Sequence, residues 1–312
     1  MPLQPTDSRP GTATTPTTEP PLGRRYEVAP GRRLMLHRSG TGGPTVVFLP
    51  GAGLIGLDYL NTHDKVAELT TSVLYDRAGT GWSSPAGLPR TAAEVVGELH
   101  DLLRTAAVPG PYVLVGHSLG GAYARHFAQH FPDEVAGVLL LDPFHEDIYD
   151  HAPREVREKL DRMTGQEEPP EATQEQLDTA RTQITPLFAA WPDTVREQLV
   201  DYHLTAWRTG LREGRNIYDE VAYELRDAPG LPDVPLIVLS ATGYDATQAQ
   251  LWSEESLRDI NKGKCALHAQ LTASVPRGTH RVLDDAGHGF LHEERPDAVL
   301  RAISDLLSQA DG

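Results

Sequence analysis

Residues 116–121 read GHSLGG and place a serine, Ser118, between glycines. An apolar run, 112–115, precedes them, and a segment with helical character, 122–128, follows. The pattern G-x-S-x-G between a strand and a helix is typical of a nucleophile elbow, a sharp turn that lifts the serine hydroxyl clear of the sheet. Glycines suit such a turn because a Cβ would collide with neighbouring backbone. The sequence therefore predicts that Ser118 is a nucleophile; the alternative is an ordinary turn whose serine caps the next helix.

A serine hydroxyl is a poor nucleophile near neutral pH, so it needs a base within hydrogen-bond reach and an acid that orients the base. In the chain order serine, acid, histidine, the base is expected after the last strand. Residues 285–290, DAGHGF, lie between the last predicted strand and the closing helix. We therefore predict that His288 is the general base; the alternative is a loop histidine that only satisfies backbone groups. His117, next to the serine, is expected to be a packing residue or part of the pocket wall.

Two aspartates could supply the acid. Asp142 ends the predicted strand after the elbow helix, and a carboxylate at the C-terminal tip of a parallel strand points toward the active-site edge of the sheet. Asp245 follows the next predicted strand, several residues out in a looser segment. We prefer Asp142 because its position is better fixed, and we keep Asp245 as the alternative. The aspartate that is not the acid is expected to cap a turn or a helix.

Residues 51–56, GAGLIG, fit the pattern G-x-G-x-x-G, and Asp76 lies twenty residues beyond the last of these glycines. In a dinucleotide-binding fold such a loop holds a pyrophosphate and the acid holds the ribose, so an NAD(P)- or FAD-dependent oxidoreductase is the rival function. Pro50 at the turn and two predicted strands ahead of the loop weigh against it. Acyl transfer would use the loop differently, with the oxyanion held by the amides of Leu119 and Ala52.

Strands and helices alternate along the chain, which predicts an α/β fold with a mainly parallel sheet covered by helices on both faces. The first two strands are expected to form an antiparallel pair. The predicted strands are 26–28, 33–37, 45–49, 72–75, 112–115, 136–141, 235–239 and 280–283, and the predicted helices are 54–69, 91–107, 122–128, 247–262 and 296–307. Helix 91–107 is amphipathic. Asp76 and Arg77, in the glycine-rich loop 75–83, are expected to pair and hold that loop beside the cleft.

The composition divides the chain into three parts. Residues 1–23 are rich in proline, threonine and glycine and are expected to form a disordered tail. Residues 24–143 and 233–312 carry the strands and form the core. Residues 144–232 have no strand-like run and predict three or four helices, which form a cap over a cleft, a stabilising subdomain, or both. Their aromatic residues are expected to be mainly core, with some lining an apolar acyl or alcohol pocket: Phe188, Trp191, Tyr202, Trp207, Tyr218 and Tyr223.

Charge and cysteine content narrow the expected partners and location. Of 312 residues, 44 are acidic and 28 are lysine or arginine, and the net charge of -16 argues against a nucleic-acid partner. The single cysteine, Cys265, excludes an intrachain disulfide. No signal peptide is recognisable, and no apolar run approaches the roughly 20 residues of a membrane helix. We therefore expect a cytoplasmic protein with a small-molecule substrate and without cofactor or metal, whose oligomeric state is open.

Four segments together resemble the α/β-hydrolase superfamily: the loop 50–53, PGAG; the loop 75–81, YDRAGTG; the elbow around Ser118; and 287–289, GHG. They occur in the family's order and cover most of the chain. The resemblance implies an eight-stranded, mostly parallel sheet with a helical cap after the sixth strand. It also implies a carboxylesterase-like serine hydrolase that forms an acyl-enzyme and needs no cofactor. Pro50 departs from the family pattern, because it stands where these enzymes usually have a histidine.

The resemblance leaves two questions open. Related enzymes use either position for the acid, so it does not decide between Asp142 and Asp245. An acyltransferase or a lactonase would use the same residues as an esterase, so these activities are alternatives to ester hydrolysis. A serine nucleophile does separate the chain from the epoxide hydrolases and haloalkane dehalogenases of the same fold, whose nucleophile is an aspartate.

Overall fold

The computed structural model describes residues 19–164 and 170–310. Eight strands form one sheet: β1 (Arg24–Ala29), β2 (Arg32–Ser39), β3 (Thr45–Leu49), β4 (Ser72–Tyr75), β5 (Tyr112–His117), β6 (Val135–Leu141), β7 (Leu236–Ala241) and β8 (Gly278–Leu283). Their order across the sheet is β1-β2-β4-β3-β5-β6-β7-β8. β2 pairs antiparallel with both β1 and β4, and all the other pairs are parallel. The predicted α/β fold, with a mainly parallel sheet opened by an antiparallel pair, is confirmed.

The α-helices of the described residues are α1 (Leu60–Ala67), α2 (Ala92–Thr105), α3 (Leu119–His130), α4 (Ile148–His151), α5 (Arg154–Thr164), α6 (Gln174–Ile184), α7 (Asp193–Glu213), α8 (Ala222–Asp227), α9 (Ala246–Leu251), α10 (Glu254–Ala273), α11 (Leu291–Glu294) and α12 (Pro296–Ala310). Two of the predicted helical segments are each divided in the structure. The segment 54–69 has a 3₁₀ turn at Gly56–Tyr59 before α1. The segment 247–262 is divided into α9 and α10, because the Ser253 hydroxyl accepts a hydrogen bond from the Ser256 N–H and starts a new helix.

The central strands are buried because helices cover both faces of the sheet. In β3, Val47 and Leu49 point into one apolar core, to which α2 and α3 contribute. Val46 and Phe48 point into a second core, to which α1 and α12 contribute. This alternation follows from the two-residue period of a strand. The apolar side of α2 faces the first core, as its predicted amphipathic pattern requires.

Between β6 and β7 the described chain forms α4 to α8, two 3₁₀ turns at Thr185–Phe188 and Gly214–Asn216, and a π-helical turn at Ile217–Val221. The prediction of three or four helices was too low, because α4 and α8 have only 4 and 6 residues and are too short for helical periodicity to separate. Of the predicted tail, 1–23, residues 1–18 lie outside the described residues. Among the residues described, every helix is too short or too polar to span a bilayer.

Candidate active site

The serine of the glycine-rich turn has a strained backbone conformation between β5 and α3. Ser118 has φ 52° and ψ −119°, a region that residues with a Cβ rarely adopt. The turn is also crowded. A Cβ at Gly116 would lie 2.5 Å from the carbonyl oxygen of Gly120, and a Cβ at Gly120 would collide with the carbonyl oxygen of Leu49. Since only glycine fits these two positions, the turn is as tight as the pattern predicted.

Three side chains from distant parts of the chain meet at this turn. Nε2 of His288 lies 3.0 Å from Oγ of Ser118, and Nδ1 lies 2.6 Å from Oδ2 of Asp142. Because an ionised carboxylate only accepts hydrogen bonds, Nδ1 carries the proton and donates it to Asp142. Nε2 is then an acceptor for the serine hydroxyl. A histidine held in this way can take a proton from serine.

Asp142 is buried, and three donors surround its carboxylate. Oδ1 accepts a hydrogen bond from the Ala241 N–H at 3.0 Å, and Oδ2 accepts from both His288 and the ammonium of Lys264, the latter at 2.8 Å. Burial alone would raise the pKa of this carboxyl. The charge of Lys264 and the hydrogen bond from His288 outweigh burial and hold the pKa of Asp142 well below its ordinary value. Asp142 is therefore ionised at neutral pH.

Asp245 has a different set of partners. Its Oδ1 accepts hydrogen bonds from the N–H groups of Thr247 and Gln248, both at 2.9 Å, at the start of α9. Its Oδ2 accepts from the Gly289 N–H at 2.9 Å. The carboxylate thus caps a helix and holds the loop that carries His288. This is the capping role expected of the aspartate that is not the acid.

The loop after β3 packs directly against the serine turn. A Cβ built on Gly51 would lie 3.3 Å from Cβ of Ser118. The guanidinium of Arg77 donates to the carbonyl oxygen of Pro50 at 2.6 Å and to that of Gly51 at 2.9 Å. Because the C=O and N–H of a trans peptide point in opposite directions, the bond to the Gly51 carbonyl directs the N–H of Ala52 away from Arg77.

The two predicted oxyanion donors come from the two segments that meet at this contact. Leu119 is the first residue of α3, where helix amides have no intrahelical partner. Ala52 belongs to the loop that Arg77 holds. Within the part of the chain that the structure describes, neither amide donates a hydrogen bond to another protein group. Both amides are therefore available to an oxygen of a bound molecule.

The prediction that Asp76 and Arg77 pair with each other is wrong. Arg77 instead pairs with Glu213, the last residue of α7, through Nε–Oε1 at 2.8 Å and Nη2–Oε2 at 3.0 Å. The two side chains are only 2% and 4% exposed. Oε2 of Glu213 also accepts a hydrogen bond from the Gly53 N–H at 2.8 Å. Long-range packing brings Glu213 to Arg77, which joins α7 to the loop after β3.

The same loop is not arranged for a dinucleotide. The Gly53 N–H is taken up by Glu213, and the Gly56 N–H donates to Oδ1 of Asp76 at 2.9 Å. Oδ2 of Asp76 accepts from the Trp82 N–H at 2.9 Å, and this carboxyl is completely buried. A dinucleotide site needs such amides for the pyrophosphate and the acid for the ribose. Here both serve internal contacts of the protein, so the rival function has no support at this loop.

His117 connects the loop of His288 with the loop after β3. Its Nε2 donates to the carbonyl oxygen of His288 at 2.7 Å, since a carbonyl can only accept. Nδ1 therefore accepts from the hydroxyl of Tyr59 at 2.7 Å, and that oxygen accepts from the Gly51 N–H at 3.3 Å. Burial lowers the pKa of His117 well below its ordinary value, in keeping with the neutral ring that this pattern requires. His117 is therefore a packing residue, which is one of the two roles predicted for it.

A cavity of about 290 Å³ reaches Ser118 and His288. Apart from histidines, the charged residues in its lining are Asp142 and Lys264, which pair with each other. Of the six aromatic residues predicted to be mainly core, Phe188 and Trp191 are buried, whereas Tyr223 is exposed. Tyr218 lines this cavity, and Trp207 lines another of about 550 Å³ among the helices between β6 and β7. The apolar walls include Ile148, Val156, Leu160, Tyr218, Trp252 and Ile260.

Residues 46–302 match the family model of the Alpha/beta hydrolase family. The chain belongs to this family. The chain is 37% identical over 130 residues to the lipase LipV of Mycobacterium tuberculosis, a match that covers 41% of this chain and 45% of that protein. It is 39% identical over 99 residues to a pimeloyl-[acyl-carrier protein] methyl ester esterase of Chromobacterium violaceum, covering 32% and 37%. The chain spans less than half the length of the curated relatives it matches.

The fold of this chain recurs in solved structures. A mutant epoxide hydrolase from Vigna radiata superimposes with a TM-score of 0.67 over 92% of this chain and 98% of that one. The two sequences are 18% identical, so the likeness extends to the fold alone. It agrees with the eight-stranded sheet described above.

Sequence reasoning missed three residues that hold the side chains of the candidate site in place. Lys264 contacts Asp142, Glu213 contacts Arg77, and Tyr59 contacts His117. Lys264 and Glu213 lie 122 and 136 residues from their partners along the chain. None of the three stands in a glycine-rich motif, and helical periodicity gives no sign of such a contact. Correlated substitutions between the partners in related sequences would be the signal that could reveal them.

Replacing Glu213 by glutamine should destabilise the protein by about 3–5 kcal/mol, because it leaves the buried guanidinium of Arg77 without its counter-charge. Urea unfolding followed by circular dichroism measures the loss. The double variant Arg77→Met/Glu213→Met removes both charges and should recover most of the stability. It should still hydrolyse substrate more slowly, because the carbonyl groups of the loop after β3 lose their donor. A double variant as unstable as Glu213→Gln would contradict this account.

Proposed function

We propose that this hydrolase cleaves the ester bond of an uncharged small-molecule substrate, with Ser118 as nucleophile, His288 as general base and Asp142 as the acid. The observation that carries the proposal is the hydrogen-bond chain from Oγ of Ser118 through His288 to Asp142. The lipase and the methyl ester esterase among its relatives support an ester as the substrate class. Asp245 is the less suitable acid, since its carboxylate is occupied by three backbone amides.

In the proposed reaction, Oγ of Ser118 attacks the ester carbonyl carbon while its proton passes to Nε2 of His288. The negative charge on the carbonyl oxygen is held by the N–H groups of Ala52 and Leu119, and the N-terminus of α3 adds its dipole. The imidazolium, stabilised by Asp142, then donates its proton to the leaving alcohol. Water gives a proton to His288 and attacks the acyl-enzyme, which releases the carboxylic acid and restores the serine.

We also assign residues 144–232 the role of a cap over the core formed by 24–143 and 233–312. This assignment is supported by the cavity at Ser118, because α4, α5 and the π-helical turn supply part of its walls. A substrate group in the cavity would lie against mostly apolar side chains. The charges of Asp142 and Lys264 are satisfied by each other, which disfavours a charged group there and favours an apolar acyl or alcohol chain.

A substrate panel tests the activity. Nitrophenyl esters from acetate to dodecanoate are compared with nitroanilides of the same acids and with γ-lactones, and an added alcohol detects acyl transfer. We expect ester hydrolysis to be the fastest reaction. Faster lactone opening or transfer to the alcohol would replace esterase by lactonase or acyltransferase as the function. Fluorescence titration with NAD(P)H tests the rival oxidoreductase, and we expect no binding.

Val156→Phe should shorten the range of esters that the enzyme accepts. Val156 is 2% exposed and lines the cavity from α5, so a phenylalanine there fills space that a longer chain needs. We expect kcat/KM for nitrophenyl octanoate to fall roughly tenfold or more, with acetate little changed. Leu177→Phe is the matched control, because Leu177 lines the other cavity. An equal loss for acetate and octanoate would show that the cavity does not select chain length.

A further inference from the structure

A lysine of α10 is bonded to the aspartate of the proposed triad. Nζ of Lys264 donates to Oδ2 of Asp142 at 2.8 Å, the same oxygen that accepts Nδ1–H of His288 at 2.6 Å. Nζ also donates to the carbonyl oxygen of Ala241 at 2.6 Å, and the N–H of that residue holds Oδ1 of Asp142. The side chain of Lys264 is only 12% exposed. The charge of Lys264 is thus held in a fixed position. One hydrogen bond joins it to Asp142, and a second joins Asp142 to the imidazole of His288.

We propose that Lys264 is a positioning residue that sets the lower limit of the pH range in which the enzyme is active. This inference rests on the proposed function. An unopposed carboxylate next to His288 favours the protonated imidazole, which cannot accept the serine proton. The ammonium of Lys264 neutralises part of the charge of Asp142 and repels a second cation on the imidazole. We therefore expect the enzyme to remain active at lower pH with Lys264 than it would without this charge.

The other groups around Lys264 do not replace its charge. His268 donates from Nε2 to the carbonyl oxygen of Pro143 at 2.9 Å and accepts from the Ser240 hydroxyl at 2.6 Å, and burial lowers its pKa to about 4. Burial also lowers the pKa of His145. The titratable groups that face Lys264 and His288 include Asp142 after β6, His117 beside Ser118, His145 and His151 near α4, Asp245 before α9, and Cys265 and His268 on α10.

Lys264→Met tests the proposal, because methionine keeps an unbranched side chain but removes the ammonium. We expect the acid limb of the kcat/KM–pH profile for nitrophenyl butyrate to move to higher pH by roughly one to two units. The pH dependence of Ser118 labelling by a fluorophosphonate should move in the same direction, without any need for turnover. Lys264→Arg keeps the charge and should keep the profile. Lys262→Met, at an exposed position of the same helix, removes an equal charge and should leave the limb unchanged.

An unshifted acid limb in a folded Lys264→Met protein overturns the proposal. So does a folded variant that is inactive at every pH, because Lys264 would then do more than set the pH range. If circular dichroism shows that Lys264→Met does not fold, Lys264→Gln takes its place, and identical profiles for glutamine and arginine overturn the proposal. A wild type that hydrolyses no ester and is not labelled would remove the proposed function itself, whereas an active wild type with an unshifted variant removes only this inference.

Discussion

Ser118→Ala should lower kcat for ester hydrolysis about ten-thousand-fold or more. The hydroxyl oxygen of Ser118 is the atom proposed to form the acyl-enzyme, and it is the group to which Nε2 of His288 is bonded. Once the oxygen is lost, only substrate binding and the oxyanion donors remain to assist attack by water, and residues that act as one unit lose their effect together. Steady-state kinetics with a nitrophenyl ester measure the loss.

Fluorophosphonate labelling identifies the nucleophile independently of substrate choice. Oγ attacks phosphorus, fluoride leaves and the hydroxyl proton passes to His288, so one serine gains a stable phosphonate. Mass spectrometry should find this adduct on the peptide that contains Ser118 and should find none in Ser118→Ala. Ser274→Ala, at an exposed serine that directly follows α10, is the control and should label normally. Labelling that persists in Ser118→Ala would disprove the assignment.

Asp142→Asn should cost about a thousand-fold or more in kcat, whereas Asp245→Asn should cost tenfold or less. An asparagine at 142 lacks the negative charge that stabilises the imidazolium, and its amide can hold the ring of His288 in the wrong tautomer. An asparagine at 245 keeps a carbonyl oxygen that can cap α9, so its main effect is a loss of about 1 kcal/mol of stability.

Both variants are compared by kcat/KM and by thermal unfolding. The unfolding measurement matters for Asp142→Asn in particular, because Lys264 is left with a neutral partner in a site that is largely buried. If Asp245→Asn loses more activity than Asp142→Asn while both proteins are folded, Asp245 is the acid and the proposed triad is incorrect.

The fold was largely predictable because its strands are short apolar runs separated by helices. Local patterns also singled out Ser118 and His288, since both stand between glycines that only a tight turn needs. The choice between Asp142 and Asp245 was harder, because both follow strands that end at one edge of the sheet. Only side-chain geometry separates them: one carboxylate faces an imidazole and the other faces three backbone amides. Their roles remain a prediction that the two asparagine variants test.

The long-range contacts that hold the side chains of the site in place were not predictable from the sequence, for a physical reason. Arg77 was expected to pair with Asp76, its neighbour in the chain, but both carboxylate oxygens of Asp76 already accept backbone amides. The guanidinium instead pairs with Glu213, the last residue of α7. Such contacts depend on how distant segments pack, and neither composition nor periodicity reports that packing.

The long helix α7 is tied to the core at several points. Glu213 at its end pairs with Arg77, and His203 near its middle is bonded to Asp58 at 2.8 Å. Just before the helix begins, the indole N–H of Trp191 donates at 2.8 Å to the carbonyl oxygen of Leu57, in the 3₁₀ turn at Gly56–Tyr59. Moving α7 outward would separate two buried charges and break these bonds together.

We therefore expect α7 to stay in place when a substrate enters the proposed site. An outward swing of this helix would also withdraw the carboxylate that holds the Gly53 N–H, and the neighbouring Ala52 amide would lose its orientation. Keeping α7 in place and keeping the loop after β3 in order are therefore one task, which the pair of Glu213 and Arg77 performs.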